Sequence, residues 1–259
     1  LAKRPYGFPF HWVETQDLRV GHQVATVLPP EESADPTTEE YQRGYIRGLF
    51  EGEGSFHRGS WRGRMWPHTR IAMTDPEPLD RFQSYCSNFG IQTWRGPFIG
   101  HVVRPMEKVH TRGVESINIL DELLQAPINT PETAKGYLAG IFDGEGTLYK
   151  GRSQLILRIY QKPGKVYDAI CAALNLLKLQ FSRRTHQSKT CKGGVIMALT
   201  CLGGASGAMR FLQMVRPAIP RKRDLTGVRL GREWSTVTAI TPLSPGPLID
   251  LQTTARTFV

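Results

Sequence analysis

Two glutamates carry the sharpest chemical signal in this chain. Glu53 and Glu145 each stand between glycines, and each Gly–Glu–Gly triplet closes a duplicated stretch: Gly44 to Phe56 reads GYIRGLFEGEGSF and Gly136 to Leu148 reads GYLAGIFDGEGTL. The offset is 92 residues and seven of thirteen positions are identical, so the chain contains an internal repeat. A single such triplet reads as an acid at a helix end beside a tight turn. Two in matching apolar frames read as a pair of carboxylates brought together. Side by side at helix C-termini they repel each other and meet the negative ends of two helix dipoles. Divalent cations offset that cost, and phosphate oxygens can complete an oxygen-rich shell. The chemistry this favours is metal-assisted hydrolysis of a phosphodiester.

Such a pair must be positioned by helices that touch. Gly48 and Gly52 fall on one helical face, as do Gly140 and Gly144, because residues four apart stack along a helix. Glycine costs about 1 kcal/mol in a helix interior, and close backbone approach explains four at matching places. The expected helix interface is therefore Gly48, Gly52, Gly140 and Gly144. Glu51 and Asp143 read as structural or solvent-facing acids that hold the motif end.

Each repeat is followed by the same succession of patterns. In the second, Leu155, Leu157 and Ile159 alternate with Ile156, Arg158 and Tyr160 as in a strand. The first gives strands near residues 55–59 and 68–74, a helix near 78–89, strands near 91–95 and 109–115, and a helix near 117–124. The second gives strands near 147–150 and 154–161, a helix near 166–177, strands near 179–185 and 194–200, and a helix near 205–215. The expected class is α+β: two αββαββα units forming a pseudo-twofold pair, with domains 38–130 and 131–229 between extensions 1–37 and 230–259.

The formal net charge is +10 over 259 residues. Residues 29–40 hold five acids and no Lys or Arg, while residues 146–223 hold fifteen Lys or Arg against one acid, Asp168. One-sided basicity on strand-like segments points to a polyanion. The expected DNA contacts are Arg58, Arg62, Arg64 and Arg70 in one half. In the other they are Arg152, Arg158, Arg183, Arg184, Lys189 and Lys192. Trp61 and Trp66 read as anchors of a long hairpin, as apolar contacts to thymine methyls, or as core. Cys86, Cys171, Cys191 and Cys201 form no CxxC pair and no zinc-ligand spacing. No apolar run has transmembrane length and no signal peptide is evident, so the expected setting is intracellular, cytoplasmic or nucleoid-associated, without a membrane partner.

At Ile46–Gly54 (IRGLFEGEG) and Leu138–Gly146 (LAGIFDGEG) the chain resembles the LAGLIDADG homing endonucleases. The resemblance spans roughly residues 40–225 and puts Glu53 and Glu145 at the metal-binding, catalytic acid positions. It implies saddle-shaped antiparallel sheets lying in major grooves of double-stranded DNA. It also implies a long, imperfectly palindromic target and a staggered cut with 3′ overhangs. The implied cofactor is Mg²⁺, with Mn²⁺ substituting and Ca²⁺ supporting binding only. Both halves being present in cis, the chain is expected to act as a monomer. By the same resemblance Gln161, in IYQK, orders the attacking water, with Asp75 at the matching place in the first half. Lys222, in PAIPRK, is either the basic residue near the metals or a phosphate contact. The corresponding first-half segment, PINTPE, has no Lys or Arg, which leaves Lys108 to enter from a strand or the two half-sites to differ. The alternative on this scaffold is a non-cleaving nucleic-acid-binding or RNA-maturase-like protein. Residues 12–27 and 237–259 resemble intein splicing-domain segments. Without a Cys or Ser at position 1 and a terminal His-Asn pair, the chain is not expected to splice.

Overall fold

The computed structural model describes residues 3–4, 8–9, 14–26, 36, 38–61, 64–99, 104–151, 155–187, 194–225 and 233–241. The chain divides into two compact units, residues 31–230 and the paired terminal segments 1–30 and 231–259. In the terminal unit, β1 (Lys3–Arg4) pairs with β2 (Phe8–Pro9), and β3 (Gln23–Thr26) pairs antiparallel with β12 (Glu233–Thr236). The two extensions therefore pair with each other.

The larger unit begins with α1 (Glu39–Glu53), followed by β4 (Gly54–Trp61), β5 (Arg64–Met73), α2 (Glu77–Asn88), β6 (Thr93–Pro97), β7 (Glu107–Thr111) and α3 (Val114–Gln125). The second half repeats this as α4 (Pro131–Glu145), β8 (Gly146–Lys150), β9 (Leu155–Gln161), α5 (Lys165–Leu176), β10 (Phe181–Gln187), β11 (Val195–Cys201) and α6 (Gly204–Val215), then adds a short α7 (Pro220–Arg223). The αββαββα expectation holds in both halves. Several boundaries shift by a few residues, β5 beginning at Arg64 rather than near 68. At one the type changes: Val114 and Glu115, read as the end of a strand, open α3, because Gly113 takes a positive φ of 91° and breaks the strand first.

The repeat extends to the caps. Thr38 accepts from the Tyr41 N–H at the start of α1, and Thr130 accepts from the Thr133 N–H at the start of α4, again 92 positions on. Pro131 follows the second cap, where its fixed φ suits the first helical turn.

Both sheets are four-stranded and antiparallel with equivalent orders, β4-β5-β7-β6 and β8-β9-β11-β10. One face of each is apolar. Ile71, Met73 and Val109 in the first and Leu157, Ile159 and Leu199 in the second are buried. Leu79, Phe82 and Leu120 from α2 and α3 join the core on one side, and Ile170, Leu174 and Phe211 from α5 and α6 on the other. Phe211 meets Phe142 of α4 and Phe181 of β10 at ring-centroid separations of 5.2 and 5.8 Å, tying the second sheet to the central helix.

Candidate active site

Helices α1 and α4 meet along a seam that only glycine permits. A Cβ built at Gly48 would lie 2.1 Å from the Tyr137 carbonyl oxygen, and one at Gly140 would lie 2.3 Å from the Leu49 nitrogen. Gly44 and Gly136 are equally restricted, at 2.1 Å from the Thr133 oxygen and 1.9 Å from the Tyr41 oxygen. The expected interface is thus displaced by one turn. Gly48 and Gly140 belong to it, and Gly44 and Gly136 replace Gly52 and Gly144, which face no opposing backbone. A Cβ at Gly52 would first meet Glu145 Cγ at 3.8 Å, and one at Gly144 would meet Glu53 Cγ at 3.0 Å. The last glycine of each row instead makes room for the opposite helix's glutamate.

Glu53 and Glu145 therefore come together where the seam ends. Partial burial, and for Glu53 also the adjacent Glu145 charge, raise their carboxyls above the ordinary value, and Lys222 counters the rise at both. Repulsion between two charges acts on both. Glu53 is exposed, while Glu145 is half-buried. Among the described residues neither carboxylate has a hydrogen bond or ion pair, and no group of three or more His, Cys, Asp or Glu side chains gathers there or elsewhere.

The neighbouring acids are all engaged. Asp143 is buried and accepts from the Tyr45 hydroxyl (2.8 Å) and the backbone N–H groups of Ala218 (2.8 Å) and Ile219 (3.0 Å). Glu51 accepts from Tyr137 Oη (2.6 Å) and Arg47 Nε (2.9 Å). Both are structural rather than solvent-facing. Lys222 is buried too, its Nζ donating to the carbonyls of Phe142 (3.0 Å), Asp143 (2.6 Å) and Gly144 (3.5 Å) at the end of α4. A cation there answers the negative end of the helix dipole. Desolvation lowers its ammonium below the ordinary lysine value, with the Asp143 charge opposing.

Gln161 ends β9 and its Oε1 accepts from the Lys162 N–H at 2.8 Å. The first-half match to it is not Asp75. Gly54 pairs with Ile71 and Gly146 with Ile159, so the residue two places on, equivalent to Gln161, is the buried Met73. Asp75 lies beyond the strand, gripped by Arg221 Nε (2.9 Å) and Nη2 (2.5 Å). That hydrogen bonding holds its carboxyl below the ordinary range. β5 ends at Met73 and β9 at Gln161, each three residues before the next helix, and this equivalence is fixed by the cross-strand pairing that a single sequence does not display. Lys108 pairs with Ala72 in the ladder, one place from Met73.

The sheet faces turned from the core carry the polar groups. Directly opposed ladder residues share a face. Arg70, Ser55, His110 and Trp94 therefore lie together, with Ala72, Lys108 and His68 beside them. Trp94 stacks on His110 at 6.2 Å, and Arg70 lies over the Phe98 ring. In the second sheet Arg158, Thr147, Thr200 and Ser182 share a face with Tyr160, Ala198 and Arg184. Arg183 opposes the core residue Leu199 instead and so belongs to the helix side, a correction that follows from strict alternation along β10. Trp94 and His110 were missed because their alternation with Arg95 and Val109 is too short to fix a register from sequence. Arg62, Arg152, Lys189 and Lys192 fall outside the described residues, as do the side chains of Arg58, Arg64, Trp61 and Trp66.

Residues 40–95 match the family of the LAGLIDADG-like domain. Among solved structures, I-DmoI in complex with DNA and Ca is similar over 71% of this chain and 96% of that one, at 14% identity and a TM-score of 0.54. I-DmoI in complex with DNA and Mn aligns with 69% and 97% coverage, 14% identity and a TM-score of 0.52. Full-length DUF199/WhiA from Thermatoga maritima is similar over 71% of this chain and 57% of its own, at 11% identity and a TM-score of 0.52. No curated protein matches the chain by sequence. The family match is thus confined to residues 40–95, and the chain has the α+β LAGLIDADG pseudo-dimer fold of these structures.

Proposed function

We propose that this chain, with its LAGLIDADG-like domain, is a metal-dependent, site-specific endonuclease of double-stranded DNA. The observation that carries the reading is the meeting of Glu53 and Glu145, one from each half, as carboxylates with no hydrogen bond or ion pair among the described residues, while Glu51, Asp75 and Asp143 each have one. The fold alone does not decide this, since it is shared with I-DmoI, described as a homing endonuclease, and with DUF199/WhiA. The neutral glycine seam needs neither glutamate, so both charges at its end await a counter-charge.

The donor set fits a hard divalent cation: two carboxylates and no soft ligand, with remaining positions left to water and phosphate oxygens. Mg²⁺ is the proposed ion, with Mn²⁺ as a substitute and Ca²⁺ supporting binding, and when bound it would supply charge to polarise the phosphodiester and acidify the attacking water. Glu53 and Glu145 hold that site between the halves. Lys222 adds positive charge at the end of α4, on the second-half side, and Gln161 offers an amide to orient water at the strand end. Asp75 is tied to Arg221 and contributes through that ion pair. Arg70, Arg158 and Arg184 lie on the open sheet faces, where guanidinium groups can meet phosphates or guanine edges. The chain acts as a monomer on a long, imperfectly palindromic target with a staggered cut leaving 3′ overhangs. The splicing-domain origin of the flanks rests on their sequence.

The test is a nicking-versus-linearisation time course on plasmids bearing a randomised target library, with Mg²⁺ and with EDTA. Glu53→Gln and Glu145→Gln should each slow double-strand cleavage by at least about 10²-fold while duplex binding in Ca²⁺ persists. Binding without any metal-dependent cut by the unaltered chain would favour the non-cleaving alternative.

A further inference from the structure

We propose that Asp143 is a positioning residue: its carboxylate fixes the turn at Ala218 and Ile219, and the turn in turn sets the Lys222 ammonium at the end of α4 beside Glu53 and Glu145. The relevance of this to cleavage rests on the endonuclease reading; the placement of the ammonium does not.

The contacts close a ring. The Asp143 side chain accepts the N–H groups of Ala218 and Ile219. The Ile219 carbonyl accepts from the Lys222 N–H at 3.1 Å, starting the turn of α7. Lys222 Nζ then returns to the Asp143 carbonyl at 2.6 Å, with Phe142 and Gly144 on either side. One residue thus grips the segment by its side chain and receives the lysine on its main chain. On one side α6 ends at Arg216 in a left-handed conformation, φ 56°, with its carbonyl accepting from the Tyr41 hydroxyl (3.0 Å) and Arg81 Nη1 (2.7 Å), and on the other Arg221 grips Asp75. Between these holds Pro217 and Pro220 flank the two amides, whose acceptor is Asp143. Tyr45 supplies the third donor to Asp143 from the opposite helix, so the anchor is registered to α1 as well as α4.

The first half shows the same position used otherwise. Glu51 is one methylene longer and takes Arg47 and Tyr137, and it is Arg47 Nη1 that reaches the segment after α3, donating to the Ala126 carbonyl at 2.5 Å. No Lys or Arg follows there until Lys135. The short acid at position 143 and the delivered lysine occur together in one half, and both are missing from the other.

The test uses the full chain without metal, acetylated with an amine-reactive reagent and mapped by mass spectrometry, with exposed Lys178 as internal reference. Lys222 should be protected in the unaltered protein and become at least about tenfold more reactive, relative to Lys178, in Asp143→Asn, where the amide places a donor against the N–H groups. Asp143→Glu, which keeps the charge and lengthens the arm, should release Lys222 in the same direction and serves if the Asn variant does not fold. Unchanged protection in whichever variants fold overturns the proposal. Cleavage adds a second readout: losses from Asp143→Asn and Lys222→Met should not multiply in the double variant, because one residue acts through the other. Multiplying losses would assign Asp143 a separate role and overturn the proposal as well. If the unaltered chain makes no metal-dependent cut, the nuclease reading fails while the protection result still decides the placement of Lys222.

Discussion

The Tyr45 hydroxyl donates to the Asp143 carboxylate across the helix seam at 2.8 Å, and 92 positions later Tyr137 donates to Glu51 at 2.6 Å. The two bonds are pseudo-symmetric, but their acceptors live in different surroundings. Asp143 is 1% exposed, whereas the Glu51 side chain is 20% exposed and keeps the Arg47 guanidinium. Tyr45→Phe should therefore cost about 1–3 kcal/mol, the penalty for stripping a donor from a buried charged acceptor. Tyr137→Phe should cost clearly less. Chemical denaturation of both variants checks the order; equal losses would mean the seam does not distinguish its two acids.

The glycine seam makes a contrast between positions that look alike in sequence. Gly48→Ala or Gly140→Ala drives a methyl into opposing backbone at 2.1 or 2.3 Å, and no rotamer change relieves a clash with main chain. Each should cost about 3 kcal/mol. Gly52→Ala meets nothing nearer than Glu145 Cγ at 3.8 Å and gains helix propensity, so it should be neutral or stabilising by up to about 1 kcal/mol. Thermal melts of the three variants suffice, and a large loss at Gly52 would displace the interface back toward the helix ends.

That contrast also marks what sequence could show. The repeat identified two units, the paired glutamates and the order of elements, because duplication and alternation are local patterns. It could not say which glycines of a row touch the partner, since Gly44, Gly48 and Gly52 all lie on one helical face and only the crossing point of α1 and α4 separates them. The strand equivalence failed for a related reason: Met73 rather than Asp75 matches Gln161 because ladder register is set by cross-strand pairing. The capture of the Ala218 and Ile219 amides by Asp143 joins residues 75 and 76 positions apart, which no spacing rule anticipates.

Raised carboxyls at the seam end carry a pH signature. A folded-state value above the ordinary 4.5 means the folded chain holds these protons more tightly than the unfolded one. Stability then falls as pH rises from the ordinary value through the raised one, and the full penalty of the ionised pair stands at neutral pH. Metal-free Glu53→Gln should accordingly melt above the unaltered protein at pH 7, and the gap should vanish below about pH 4, where carboxyls are protonated in both states. Adding Ca²⁺ should raise the melting temperature of the unaltered protein more than that of the variant. A variant that melts no higher at pH 7 would mean the two charges do not strain the seam.

Alternation along β10 separates two adjacent arginines that composition treats as one basic patch. Arg184 opposes Ala198 and lies on the face of Tyr160 and Arg158, whose Nη1 approaches the Tyr160 hydroxyl at 3.4 Å. Arg183 opposes Leu199 and lies close enough to Tyr167 of α5 for its charge to act on that phenol. If DNA lies on the open face, Arg184 can displace counterions from a phosphate and Arg183 cannot. Arg184→Ala should weaken duplex binding and reduce the slope of log K against log salt by about 0.9, the value of one phosphate contact. Arg183→Ala should leave that slope unchanged and alter affinity little. Fluorescence anisotropy titrations in Ca²⁺ across several salt concentrations give both slopes. A slope lowered by Arg183→Ala and not by Arg184→Ala would put the duplex on the helix side of the sheet, and with it would fall the assignment of Arg158 and Tyr160 to the binding face.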